Sequence, residues 1–241
     1  MTEFTTWRSL VDGEEIVAIP DGVVDNFEDA DADPAGPYED GEGITDYYSH
    51  QFPTDPVQYE RTTDDVEEGS HALSRIGEEE GRSNIVSWPD DGLPTYPDFG
   101  DTVAWLIRDP GSGTSPAFMP AVVDESPPKG YAYKIYPEDN VIQIWKENDL
   151  TVDDSDEQIA SESVTHSEGT WYWCEGVIPD PAENDLEFSL YELESDLSRG
   201  DHLATVSGSD PDYTDGEGIG WWCRRRTTDE GAMADFLRVL D

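Results

Sequence analysis

Short segments of alternating apolar and polar residues, separated by clusters of turn residues, constrain this chain most. Alternation with a period of two places successive side chains on opposite faces of a β-strand, whereas a helix needs apolar residues every three or four positions. The 241 residues include 21 glycines and 17 prolines, and no apolar pattern of helical period persists over three turns. The sequence therefore predicts an all-β sandwich with little helix.

Eight segments carry the alternation. They are DTVAWLIRD, YAYKIY, VIQIWK, TWYWCEGVI, DLEFSLYEL, HLATVSG, GIGWWCRRR and DFLRVLD. On DTVAWLIRD, alternation places Val103, Trp105 and Ile107 together on one face of the strand. On DLEFSLYEL, Leu186, Phe188 and Leu190 are predicted to face the core. Residues 137–140, PEDN, predict a hairpin turn between YAYKIY and VIQIWK. Two acidic stretches, residues 28–46 and 147–163, are predicted to be loops.

The charge of the chain limits its partners. It has 57 acidic and 13 basic residues, a formal net charge of -44. Nucleic acid and anionic membrane surfaces are excluded as partners, because both are bound through basic faces. We interpret the acidity as adaptation to high salt, since molar salt shortens the Debye length to roughly 3 Å and screens the self-repulsion. No segment is apolar enough to insert into a membrane.

The first twenty residues are predicted to be an arm outside the sandwich. They end at the turn Pro20-Asp21-Gly22, so residues 1–20 form the arm and residues 21–241 the β domain. The arm carries Phe4, Trp7, Leu10 and Ile16, which we expect to dock onto another subunit. It lacks the basic start and the apolar stretch of a signal peptide. If the protein works outside a cell, we expect it to leave by a route other than the general secretory one, such as release within an assembled particle.

The two cysteines lie in similar aromatic strings. Cys174 follows Trp171, Tyr172 and Trp173, and Cys223 follows Trp221 and Trp222. If the two strands are neighbours, the cysteines can form a disulfide; two buried thiols explain the sequence equally well. Because alternation sends rings to both faces, Trp171, Trp173, Trp221 and Trp222 are candidates for an exposed glycan-binding platform. The alternative is that all four fill the core.

The order of several motifs resembles that of concanavalin A-like jelly rolls, a group that includes laminin-G-like domains and the laminarinase clan of β-glucanases. The motifs are VVDNFEDADA, DVEEGSHALSR, GTWYWCEGVI, FSLYE, DPDYTDGEGIGWW and AMADFLRVLD, and they span residues 21–241. The resemblance implies two curved antiparallel sheets of six or seven strands each, with a concave face that often binds glycan.

The same resemblance implies a calcium site on the convex side. Its ligands here are the backbone carbonyls of Asn26 and Gly69 and the carboxylate of Asp235. Oxygen ligands from distant segments suit calcium. The alternative is that Asp235 is simply an acidic residue on a strand of a very acidic protein.

The sequence does not predict an enzyme. The glucanases in this group carry their two catalytic carboxylates on one strand as E-x-D-x-x-E, and this motif is absent. The closest run, residues 183–188, ends in Phe188 where the motif has an acid. The four histidines accompany no nucleophile motif.

The opening residues, TTWRSLVDGEEIVAIPDGVVD, resemble N-terminal segments of virion proteins from tailed viruses of haloarchaea. This resemblance implies a structural virion protein (capsid decoration, turret or tail) that forms homo-oligomers and carries a lectin-like domain able to bind host surface glycans. The expected location is the virion, in an extracellular, high-salt environment. Two alternatives stay open: a glycan-binding module of a cellular haloarchaeal protein, and a divergent glycosidase.

Overall fold

The structure is a computed structural model that describes residues 81–240 apart from 91–92, 94, 112, 152–155 and 226–231. Before residue 81 it describes the backbone of six short strands, with side chains only for residues 72–74. Asn26, Gly69 and the predicted acidic loop 28–46 lie outside the described residues.

Fifteen of the described strands form two antiparallel sheets. Sheet I contains seven strands in the order β12 (Asp156–Ser163), β11 (Val141–Glu147), β10 (Lys129–Tyr136), β9 (Thr114–Val123), β16 (Gly218–Arg225), β7 (Gly81–Ser87) and β4 (Ser49–Phe52). Sheet II contains eight strands, with the order β15 (Arg199–Ser209), β14 (Asp185–Leu193), β13 (Trp171–Val177), β8 (Thr102–Arg108), β17 (Ala232–Val239), β6 (Ala72–Arg75) and β5 (Tyr59–Thr62); β3 (Val23–Asp25) also pairs with β17.

The chain crosses between the sheets repeatedly, from β7 to β8 to β9 and again from β15 to β16 to β17. The fold is thus the predicted jelly-roll sandwich of two antiparallel sheets. A short 3-10 helix, Pro137–Asp139, closes the predicted hairpin between β10 and β11, and Asn140 ends it with a φ of 53°. No described helix is long and apolar enough to cross a membrane.

Two strands near the N-terminus form a hairpin of their own. β1 (Arg8–Val11) pairs with β2 (Glu14–Val17) and belongs to neither sandwich sheet. Leu10 and Ile16 lie on these strands, of which only the backbone is described, and Phe4 and Trp7 lie outside the described residues. The docking role of this arm stays a prediction.

Aromatic rings from both sheets fill the space between them. Trp105 of sheet II packs against Phe118 and Tyr133 of sheet I, with ring centroids 4.8 and 6.4 Å apart. Gly176 lies beside this stack, where a Cβ atom would come within 2.8 Å of the Tyr133 ring. Leu186, Phe188 and Leu190, predicted to face the core, belong to this inter-sheet core, as does the face of DTVAWLIRD that carries Val103, Trp105 and Ile107.

The predicted acidic loop at residues 147–163 is wrong in its second half. Residues 156–163 form β12, which pairs antiparallel with β11 along its length. β12 is the outermost strand of sheet I, and most of its side chains are exposed. An edge strand with polar side chains on both faces shows no apolar alternation, which explains why the sequence pattern missed it.

Candidate functional site

The outer face of sheet I carries a row of polar and aromatic side chains. The strand register aligns Gln143 with Lys134, Lys134 with Ala117, Ala117 with Trp222, and Trp222 with Asn84. The row therefore runs across five strands, from β11 to β7. Inward-facing neighbours such as Tyr133, Ile144 and Trp221 belong to the inter-sheet core.

A buried lysine lies between two indole rings in this row. The Nζ atom of Lys134 is 3.6 Å from the ring centroid of Trp222 and 4.7 Å from that of Trp145. It donates to Oε1 of Glu147 at 2.6 Å, and the side chains of the pair are only 3% and 0% exposed. Lys134, Glu147, Trp145 and Trp222 are called the lysine–indole cluster below.

The sheet geometry leaves room for this arrangement. Ala132 and Ala117 lie on the same outer face as Lys134. Ala132 is two residues before Lys134 on β10, and Ala117 is the register partner of Lys134 on β9. Their small side chains let the lysine stem lie along the sheet surface. A buried ion pair is weak support for stability, because apolar replacements of similar volume are often neutral or more stable by about 1 to 4 kcal/mol.

Toward the exposed edge of the sheet, amide groups continue the row. The indole Nε1 of Trp145 donates to Oε1 of Gln143 at 2.7 Å, and Nε2 of Gln143 donates to Oε1 of Gln158 at 3.1 Å. Trp145 is half-buried and Gln158 is exposed. Gln143 thus fixes the orientation of the Trp145 ring, and amide groups lie next to a partly exposed aromatic surface.

The loop after β11 covers the inner part of the row. Leu150 packs on the outer face of sheet I with Met119, Val122 and Trp222. Its carbonyl accepts a hydrogen bond from Nδ2 of Asn84 at 2.9 Å, and its N–H donates to the carbonyl of Pro128 at 2.9 Å. The row therefore has an open outer part, at Trp145 and Gln158, and a covered inner part, at Trp222 and Asn84.

A second polar network closes one end of the sandwich. The Nζ atom of Lys146 lies 2.9 Å from Oδ2 of Asp210 and 2.5 Å from Oδ2 of Asp212. The hydroxyl of Tyr131 donates to Oδ1 of Asp210 at 2.7 Å. Burial would lower the pKa of Lys146, but its hydrogen bonds to Asp212 and Asp210 outweigh burial and hold this pKa above the ordinary value.

One histidine that looked isolated in the sequence has a buried carboxylate partner. Nδ1 of His166 lies 2.6 Å from Oδ2 of Asp109, and both side chains are buried. Oδ1 of Asp109 also accepts the N–H of Gly111 at 2.7 Å, and its carbonyl accepts the N–H of Gly169 at 2.7 Å. Nε2 of His166 has no hydrogen-bond partner among the described residues. The pair ties the loop after β8 to the loop before β13.

The predicted platform of four tryptophans does not form. Trp171, Trp173, Trp221 and Trp222 are 8%, 2%, 0% and 2% exposed. Alternation does send them to different faces, since Trp221 lies in the inter-sheet core while Trp222 lies on the outer face of sheet I. Trp171 and Trp173 lie on the outer face of sheet II with Phe236. The prediction was wrong because it took an outward-facing ring to be an exposed one.

Cys174 and Cys223 are both buried and are not joined by a disulfide, so the disulfide alternative is corrected. Cys174 lies on β13 in sheet II and Cys223 on β16 in sheet I, so their strands are not neighbours in one sheet. Burial raises the pKa of the Cys174 thiol, which keeps it protonated and unreactive.

Of the three predicted calcium ligands, only Asp235 is described. It is fully buried on β17, between the residue that pairs with the start of β6 (Ala234 with Leu73) and the residue that pairs with the end of β3 (Leu237 with Asp25). Among the described residues, no group of three or more His, Cys, Asp and Glu side chains is placed to hold a metal.

Comparison with known proteins gives similarities of fold only. No family model matches the chain, and no curated protein sequence matches it significantly. The carbohydrate-binding module CBM66 from Bacillus subtilis is 13% identical with a TM-score of 0.47, covering 84% of this chain and 98% of that one.

Two glycosidase structures are similar in the same way. The GlcNAcα1-4Gal-releasing endo-β-galactosidase from Clostridium perfringens is 16% identical with a TM-score of 0.47, covering 86% of this chain and 60% of that one. The Bacteroides ovatus mixed-linkage glucan GH16 protein is 10% identical with a TM-score of 0.39, covering 83% of this chain and 97% of that one. At these values, what those proteins bind or cleave is not transferred to this chain.

Proposed function

We propose that the outer face of sheet I binds glycan, with Trp145 as the ring on which a sugar stacks. The observation that carries this proposal is the half-buried Trp145 indole, whose Nε1 is held by Gln143 and whose ring lies over the Lys134 ammonium. Sugar rings present an apolar C–H face and a rim of hydroxyl groups, so they suit an aromatic surface bordered by amides. Gln158 and Gln143 supply those amides.

The test is binding to immobilised lactose, cellobiose, maltose and digalacturonate in molar KCl. Trp145→Ala should remove binding to the immobilised sugar that the wild type binds. The melting temperature should change little, because the ring is partly exposed. Phe99→Ala is the matched control, since Phe99 is 43% exposed on a loop outside this face. If the wild type binds none of these sugars, or if Trp145→Ala binds as well as the wild type, the proposed function is wrong.

We propose further that calcium binds at Asp235. The buried carboxylate of Asp235 accepts the N–H of Phe236 at 2.8 Å, and a cation would compensate its charge further. β3 ends one residue before Asn26, and β6 begins three residues after Gly69. Both strands pair with β17 close to Asp235, at Leu237 and Ala234. Asp235 would supply the carboxylate, and hard oxygen ligands from separate segments fit calcium.

Our proposal for the biological setting is a structural virion protein in a high-salt environment, with the arm docking onto neighbouring subunits. It is supported by the net charge of -44 and by the separation of the β1–β2 hairpin from both sandwich sheets. A cellular glycan-binding module would bind sugar without assembling into particles, and a divergent glycosidase would turn substrate over. Purification of the protein with particles distinguishes the first setting from these two.

A further inference from the structure

Two buried polar atoms beneath Leu150 lack hydrogen-bond partners among the described residues. They are Oδ1 of Asn84, an acceptor, and Nε1 of Trp222, a donor. Asn84 and Trp222 face each other across β7 and β16 as register partners on the outer face of sheet I. A buried polar group without a partner is costly, and a bound molecule that supplies a donor and an acceptor would satisfy both atoms.

One hydroxyl group matches both atoms. A hydroxyl accepts a hydrogen bond from an indole N–H and donates one to an amide oxygen, which no carboxylate can do. Since directly opposed residues of an antiparallel pair have Cβ atoms about 5 Å apart, a single group can reach both side chains.

The neighbouring lysine–indole cluster disfavours a negatively charged ligand group. The Lys134 ammonium is already paired with Glu147, and its Nζ atom is 3.6 Å from the Trp222 ring centroid. An anionic ligand group placed here would compete with Glu147 and leave that buried carboxylate without its cation, which is strongly unfavourable. An uncharged ligand leaves the pair intact.

We infer that the region beneath Leu150 is an inner subsite that takes one hydroxyl group of an uncharged sugar between Asn84 and Trp222. This inference rests on the proposed glycan binding at Trp145 and specifies its ligand class. Entry requires residues 148–151 to move off the face. Leu150 is held there by its side chain, by the Asn84 hydrogen bond and by the bond to Pro128.

Trp222→Phe tests the subsite, because it removes the indole N–H and keeps an aromatic ring. The affinity for the neutral disaccharide that the wild type binds should fall about tenfold, the effect of one lost hydrogen bond to a buried group. Trp105→Phe is the matched control: its Nε1 also lacks a partner among the described residues, but its ring lies in the inter-sheet core against Phe118 and Tyr133. It should leave the affinity unchanged.

The same measurement in molar KCl compares the neutral disaccharides with digalacturonate. Screening to roughly 3 Å removes the repulsion by the whole protein, so any remaining preference comes from the site. Equal or tighter binding of digalacturonate would overturn the inference of an uncharged ligand. Unchanged sugar affinity in Trp222→Phe, with Trp145→Ala still abolishing binding, would overturn the inner subsite alone and assign its polar atoms to bound water.

Leu150→Ala provides a second measurement that does not depend on Trp222→Phe folding. With a smaller side chain to displace, sugar should associate faster with Leu150→Ala than with the wild type. An unchanged association rate would contradict entry beneath this residue. If the wild type binds none of the sugars, both the proposed function and this subsite are wrong.

Discussion

Each of the three lysines in this very acidic chain pairs with a carboxylate and lies near an aromatic ring. The pairs are Lys129 with Glu125, Lys134 with Glu147, and Lys146 with Asp210 and Asp212. The rings are those of Tyr213 for Lys129 and Lys146, and of Trp145 and Trp222 for Lys134. All three lie on the β10–β11 hairpin. The ammonium groups are therefore concentrated next to the outer face of sheet I and the Asp210–Asp212 network.

Asp210 should make stability depend on acid pH. Burial raises the pKa of Asp210, but hydrogen bonds from Tyr131, from the N–H of Asp212 and from Lys146 outweigh burial and hold this pKa below its ordinary value. A lowered native pKa gives stability that is full above the unfolded value of about 3.9 and is lost as pH falls through the native value. Asp210→Asn should therefore be less stable than the wild type at neutral pH, and the difference should shrink below about pH 4.

Thermal unfolding of both proteins at fixed molar salt, between neutral pH and the acid limit, measures this difference. Asp139→Asn is the control, because Asp139 is exposed in the turn after β10. A stability difference for Asp210→Asn that stays constant down to the acid limit would contradict the role given to this carboxylate.

At the scale of the strand, alternation predicted eight strand segments and the core-facing residues of DLEFSLYEL. It missed β7, β9 and β12, and it did not show which strands are neighbours. Lys134, Gln143 and Trp145 face outward on strands that the sequence predicted, so the pattern already separates them from Tyr133 and Ile144. Trp222 on β16 comes close to Lys134 on β10 only because β9 alone lies between these two strands in sheet I. Strand order depends on long-range pairing, which local periodicity does not encode.

The sequence pattern also does not show which outward-facing side chains are covered by loops. An outward-facing ring on a sheet is exposed only if no other segment packs on it, and Leu150 packs on Trp222 from a loop more than 70 residues earlier in the chain. The mistaken tryptophan platform has this cause, and the sequence could not indicate the proposed inner subsite for the same reason. β12 was missed for the separate reason that an edge strand needs no apolar face.

Calcium should stabilise the protein through β17. This strand pairs with β8 on one side and with β6 and β3 on the other, so a cation at Asp235 would hold together segments that are distant in sequence. Binding to the folded state alone adds about 2.7 kcal/mol to the free energy of unfolding at a hundredfold excess over Kd. The melting temperature at fixed molar KCl should rise with calcium, and Asp235→Asn should abolish the rise.

Asp201→Asn is the control for that titration, since Asp201 is an exposed aspartate on β15, at the far edge of the same sheet. It should keep the calcium response of the wild type. A calcium response that survives Asp235→Asn would show that the cation binds elsewhere. A wild type whose melting temperature does not respond to calcium would contradict calcium binding.

For the whole molecule, the proposed assembly would depend on salt. A net charge of -44 makes copies of the chain repel one another in dilute buffer, where the Debye length is roughly 10 Å at 0.1 M salt. Molar salt screens this repulsion and leaves short-range apolar contact as the main attraction between subunits. Apolar residues outside the sandwich are then the natural points of contact.

Deleting residues 2–20 should separate folding from assembly. The β1–β2 hairpin lies within this segment and belongs to neither sandwich sheet, so the truncated protein should stay soluble in molar salt and unfold cooperatively. It should no longer form oligomers or enter particles, because Phe4, Trp7, Leu10 and Ile16 are removed with the arm. Sedimentation of both proteins at equal concentration, with thermal unfolding alongside, measures the two properties. Aggregation of the truncated protein would show that the arm covers part of the sandwich, and normal assembly would show that it docks onto nothing.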